Sequence, residues 1–134
     1  MTDREAQFAD LAARAAEARK WSYSPYSGYA VGAAILAASG KIYDGANVEN
    51  AAYPLALCAE RGAGVKAVSE GEREFVAVAV ATENGGMPCG ACRQFLSEFG
   101  PEAVVLVADA DGQLLKQTTV RDLLPDSFGP AQLK

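Results

Sequence analysis

At 134 residues, half of them hydrophobic, the chain has material for one domain of ordinary size with a true core. Its formal net charge of −5 disfavours a polyanion as main partner, so no nucleic-acid role is expected. The N-terminus, Met1-Thr2-Asp3-Arg4-Glu5, lacks an apolar signal segment, and no apolar run is long enough to cross a bilayer, so no membrane partner is expected either.

The elements can be taken in chain order. Residues 2–20 read as an amphipathic helix, with Phe8, Leu11, Ala12, Ala15 and Ala18 or Arg19 on one stripe. Thr2 and Glu5 have the spacing of a capping box. Pro25 and Gly28 break the helical period. Residues 29–38, small and apolar, read as a buried strand, and Ser39-Gly40-Lys41 turns it into a hairpin partner over 41–47. Asn47-Val48-Glu49-Asn50 then places polar groups at a strand end, where turn or capping roles are the usual ones. A helix is expected from Cys58 to about Ser69, although Gly62 and Gly64 each cost about 1 kcal/mol relative to Ala in a helix interior. Residues 75–81 form an apolar strand, Asn84-Gly85-Gly86 a loop, and Cys89 or Gly90 to Phe99 a further helix with Phe95, Leu96 and Phe99 inward. Two more strands, 103–108 and 113–118, flank the turn at Asp109–Gly112. A short helix over 119–124 stops at Pro125, and 126–134 is a tail with one aromatic, Phe128. No repeat or linker interrupts the chain, so residues 1–134 read as one domain. The order α-β-β-α-β-α-β-β fits a layered α/β/α sandwich around a mixed five-stranded sheet.

The chemistry gathers in two stretches, Leu57-Cys58-Ala59-Glu60-Arg61 and Pro88-Cys89-Gly90-Ala91-Cys92-Arg93-Gln94, which hold all three cysteines. An odd count with this spacing argues against a disulfide framework, and a reducing cytoplasm is the simplest setting. Cys89-x-x-Cys92 alone could be a redox pair or two buried small side chains. Zn²⁺ prefers four tetrahedral ligands, and this chain has no His. Three thiolates leave one position open, as catalytic zinc sites do. Glu60, two residues from Cys58, is close enough to handle protons there. Zinc with three thiolates sums to −1, which makes bound water less acidic. Helix N-termini behind the cysteines, and Arg61, could withdraw that charge; a surface ion pair is the plain alternative for Arg61.

Cys58-Ala59-Glu60 with Pro88-Cys89-x-x-Cys92 matches the signature of zinc deaminases. With Tyr26-Ser27, Val31-Gly32-Ala33-Ala34, Asn47 to Tyr53 and Leu123-Leu124-Pro125, the chain resembles the cytidine deaminases of the small, three-cysteine, homotetrameric kind over nearly its whole length. The resemblance implies hydrolysis of cytidine and deoxycytidine to uridine and deoxyuridine with release of ammonia, as in pyrimidine salvage. It implies one zinc held by Cys58, Cys89 and Cys92, with zinc-activated water attacking C4 of the base and Glu60 moving protons. Asn47 and Glu49 match residues that hold the ribose hydroxyls, and Ala59 would offer backbone to the base. Tyr29 stands where Phe is common, beside the nucleoside. Phe128 matches an aromatic that covers a neighbouring subunit's pyrimidine. Gly62-Ala63-Gly64 departs from the larger helix formers common there, which could loosen the helix or let another helix approach closely at a subunit contact. Two other readings compete: a related deaminase for another substrate, such as an aminopyrimidine nucleoside antibiotic or a nucleic-acid base, and a structural zinc protein acting as a binding module, with a carboxylate such as Glu60 as fourth ligand.

Overall fold

The computed structural model describes residues 1–133. Helix α1 (Asp3–Ala18) begins as expected: Thr2 Oγ1 accepts from the Glu5 amide at 3.0 Å, and Glu5 returns the bond to the Thr2 amide. Its buried stripe is Phe8, Leu11, Ala12, Ala15 and Ala18. Ala18 rather than Arg19 closes the stripe, because the Arg19 guanidinium turns aside to donate to the Ala30 carbonyl.

Five strands follow: β1 (Gly32–Ala37), β2 (Ile42–Ala46), β3 (Phe75–Ala81), β4 (Val104–Ala108) and β5 (Leu114–Thr119). They form one sheet in the order β2-β1-β3-β4-β5. Only β3 and β4 run parallel; the other three pairings are antiparallel, so the sheet is mixed. The parallel pair needs a crossover, and helix α3 (Gly90–Phe99) supplies it. Helix α2 (Ala59–Ser69) connects β2 to β3, and the short α4 (Val120–Leu123) follows β5.

Alternation along the strands sorts the core into two layers. Ala34, Leu36, Ala77, Ala79, Leu106 and Ala108 face α1. Ala33, Ile35, Val78, Val80, Val105 and Val107 face the other way, under Ala59, Ala63 and Ala67 of α2 and Leu96 of α3. Both faces of β1, β3 and β4 are therefore covered, which is why they read as continuous apolar runs. The result is the expected α/β/α layering.

Most element ends fall within a residue or two of expectation; the start of the first strand and the tail differ more. Strand β1 starts at Gly32, not Tyr29, because the Asn47 side chain captures Tyr29 and Val31 before the ladder begins: Nδ2 donates to the Tyr29 carbonyl and Oδ1 accepts from the Val31 amide, both at 2.9 Å. The tail is not wholly irregular: residues 130–133 make a 3-10 turn, and Gln94 Nε2 donates to the Phe128 carbonyl at 3.0 Å. Of the two glycines of α2, Gly64 admits a neighbour within the same chain. A Cβ on Gly64 would lie 2.4 Å from Phe95 Cε1 of α3, so the missing side chain is what lets these two helices meet.

Candidate metal centre and pocket

Cys58 and Cys89 are the N-cap residues of α2 and α3, each in extended backbone and neither using its sulfur to cap the helix. The sulfurs are thus free to point away from the helices, with the partial positive charge of two N-termini behind them. Cys92 sits on the first turn of α3 and is fully buried. The three sulfurs lie within 4.8 Å of one another, and Cys58 and Cys89 are 3.8 Å apart. Tetrahedral ligands at a Zn–S distance of about 2.3 Å are separated by about 3.8 Å, so the donor set fits zinc in size and chemistry. Among the described residues no carboxylate joins this cluster. Glu60 lies outside the donor cluster, which gives no support to a closed structural zinc site with a carboxylate as fourth ligand. No cysteine is in a disulfide.

The charges around the sulfurs are ordered. Cys58 is lowered to about 5, because Cys92 donates to it, with Arg61 and Cys89 adding to the effect. Cys92, donor and buried, is pushed up. Arg61 Nη2 donates to Cys58 Sγ at 3.3 Å, which places the guanidinium on the sulfurs and excludes the surface ion pair. Its Nε is buried and has no partner among the described residues. Glu60 is only 4 % exposed, and burial, with the Cys58 thiolate beside it, pushes its pKa up to about 7. Such a carboxyl can both accept and return a proton near neutrality.

Two short bridges set the opposite wall. Val48 pairs with Leu57 through both backbone bonds at 2.9 Å, and with Tyr23 on its other side. This holds the 47–49 segment alongside Cys58, and the period of two turns Asn47 and Glu49 toward the same side. A cavity of about 550 Å³ opens between the walls. Asn47, Glu49, Tyr29, Cys58, Ala59, Glu60, Arg61 and Cys89 all line it. Cys92 lies behind, and Phe128 does not line this chain's cavity.

The polar residues are already partly engaged. Asn47 Oδ1 accepts from Val31 and Ser22, and one Nδ2 hydrogen is spent on Tyr29, so one donor remains. Glu49 accepts from the Tyr26 and Ser27 amides and from the Ser27 hydroxyl, which holds it ionised below its usual range and leaves little lone-pair capacity. Both residues first shape the wall and then offer a remainder to a ligand. Ser27, Tyr53, Thr82, Gly86 and Met87 also line the cavity, although spacing in the sequence did not single them out as site residues. The Tyr29 hydroxyl has a partner, Asn84 Oδ1 at 2.7 Å.

The model of the cytidine and deoxycytidylate deaminase zinc-binding region matches residues 5–108. The chain belongs to the cytidine and deoxycytidylate deaminase family. A cytidine deaminase from Sporosarcina psychrophila is 46% identical over 126 residues, covering 92% of this chain and 92% of the relative. One from Mycobacterium tuberculosis is 39% identical over 121 residues, covering 89% of this chain and 87% of the relative. The crystal structure of a cytidine deaminase from Burkholderia pseudomallei superposes with a TM-score of 0.84 at 43% identity, covering 96% of this chain and all of that one. As a deaminase of this family the chain carries its zinc centre at Cys58, Cys89 and Cys92, the one cluster of metal-type side chains among the described residues.

Proposed function

We propose that this chain, as a single catalytic domain, hydrolyses cytidine and 2′-deoxycytidine to the corresponding uridines and ammonia. The observation that carries the reading is a buried carboxyl, Glu60, two residues beyond a thiolate in a cavity that Cys89 also lines, with the sulfur of Cys92 behind them and all three sulfurs within 4.8 Å of one another. Zinc held by Cys58, Cys89 and Cys92 supplies the Lewis acidity that makes water a nucleophile near neutral pH. Glu60 takes a proton from the attacking water and delivers it to N3 of the base, then takes the remaining proton of the hydroxyl added at C4 and passes it to the departing amine. Burial suits it to this, since the proton changes hands inside a site that excludes bulk water. Arg61 neutralises part of the excess charge of three thiolates. Ala59 presents backbone at the start of α2 to the base, and Asn47 and Glu49 use their remaining hydrogen-bonding capacity on the ribose hydroxyls.

A free nucleoside suits the cavity better than a nucleotide or a polynucleotide. Arg61 is its only lining cation among the described residues, and it is committed to Cys58, while Glu49 is ionised. A phosphate there would meet like charge and no free cation to offset it. The exposure of Phe128, 56 %, and of Tyr53 and Leu55, 71 % and 70 %, the latter two in the segment that lines the cavity, supports a homotetramer in which neighbours complete each site. Reducing cytoplasm, with a place in pyrimidine salvage, suits three free thiols.

The experiment is an ultraviolet assay of cytidine, cytidine monophosphate and single-stranded DNA with the zinc content measured on the same sample. One zinc per chain and turnover of the nucleoside alone are expected. A zinc protein that leaves cytidine untouched would sink the reading.

A further inference from the structure

We propose that the Tyr29 hydroxyl is a positioning group that ties the nucleoside-side loop to the loop entering α3 and so holds the cavity in its binding shape. The proposal rests on the deaminase reading above and goes beyond it. The two loops are far apart in sequence, and the bond from Tyr29 Oη to Asn84 Oδ1, 2.7 Å, is a direct polar link between them. Both ends are anchored. On one side, the Tyr29 carbonyl is held by Asn47 Nδ2 and its amide by Ser27 Oγ at 3.0 Å. On the other, the buried Thr82 hydroxyl accepts from the Gly86 amide at 2.8 Å and lies 3.4 Å from Asn84 Oδ1.

Sterics confirm the fit. A Cβ on Gly86 would fall 2.4 Å from Tyr29 Oη, so the loop backbone lies directly against the hydroxyl. Gly85, at φ +77°, packs as closely on Leu115 of β5, where a Cβ would be 2.7 Å from Cδ1. The loop is thus gripped from both sides. Tyr29, Thr82, Gly86 and Met87 all line the cavity, so what the tie holds is a wall of the binding site.

The metal side is insulated from this loop. Arg93 Nε donates to the Pro88 carbonyl at 2.8 Å, and its Nη1 donates to the Leu123 carbonyl at 3.0 Å, so Pro88 and Cys89 are fixed independently. Glu60 is set by the packing of α2. Loosening residues 83–87 should therefore weaken nucleoside binding more than it slows the chemical step. One neutral hydrogen bond is worth about threefold to tenfold in affinity.

Tyr29→Phe and Asn84→Ala should each raise KM for cytidine about threefold to tenfold, with a much smaller change in kcat. The double variant should do no worse than the more severe single one, and Asn84→Asp, which keeps the acceptor, should restore most of the loss. Gly86→Ala should be damaging in the parent but much less so with Tyr29→Phe, since the next contacts of the new Cβ are 3.6 Å and 3.8 Å. Hydrogen exchange at the Gly86 amide should quicken in Tyr29→Phe, and this readout stands even if cytidine proves not to be the substrate. Unchanged exchange, effects of Tyr29→Phe and Asn84→Ala that multiply, or a Gly86→Ala penalty indifferent to Tyr29 would each overturn the tie.

Discussion

The two glycines of α2 give a prediction in which identical substitutions have opposite signs. Gly62→Ala adds a methyl whose nearest neighbours are Ala46 O at 3.7 Å and Leu57 Cδ2 at 3.8 Å, which is ordinary contact. Only the helix propensity changes, and Ala exceeds Gly by about 1 kcal/mol in a helix interior. Gly64→Ala has the same propensity gain, but its methyl would meet Phe95 at 2.4 Å and 3.0 Å. The ring cannot retreat freely. Phe95 packs on Phe99 at a centroid distance of 5.5 Å, and Phe99 on Phe75 at 5.2 Å. Overpacking of this kind costs about 1–3 kcal/mol, so the net result is a loss of up to about 2 kcal/mol. For a domain of this size, 1 kcal/mol moves the melting temperature by about 4 °C. Thermal melts of the zinc-loaded variants, at one protein concentration so that assembly contributes equally, should show Gly62→Ala above the parent and Gly64→Ala below it. A Gly64→Ala protein as stable as Gly62→Ala would refute the claim that Gly64 exists to admit Phe95.

Glu60→Gln should keep its zinc and lose about 10²–10⁴-fold or more in kcat, the usual range for one general acid–base group; loss of the metal, measured by elemental analysis, would make Glu60 a ligand after all. Arg61→Gln should lower kcat more than it raises the inhibition constant of uridine, because the guanidinium touches Cys58 rather than the far wall. The reverse pattern would make Arg61 a substrate contact. Phe128→Ala should weaken nucleoside binding about tenfold to a hundredfold, on the scale of base–aromatic stacking, in a protein that light scattering finds tetrameric. A monomer with full activity would remove the shared site, and a tetramer with an unchanged Michaelis constant would remove the stacking.

Much of this protein was legible in its sequence because the signals are local. The Thr2–Glu5 cap, the stripe from Phe8 to Ala18 and the apolar runs of β1, β3 and β4 each follow from contacts within a few residues or from a simple period. The chemistry of the centre was legible too, since three cysteines without a His leave few ways to bind a metal, and Glu60 is fixed two residues from one of them. The tertiary structure decided what depends on groups distant in the chain. The β3–α3–β4 crossover brings the N-terminus of α3 beside that of α2 and so carries Cys89 to 3.8 Å from Cys58. Asn47 spends three of its four hydrogen-bonding positions on Ser22, Tyr29 and Val31, a use that the segment Asn47–Asn50 does not announce. Gly64 is explained by a ring on another helix, and the Tyr29 hydroxyl by an amide 55 residues away. Periodicity and spacing report which face of an element is buried; which partner meets that face depends on how the sheet is ordered, and that order is a property of the whole chain.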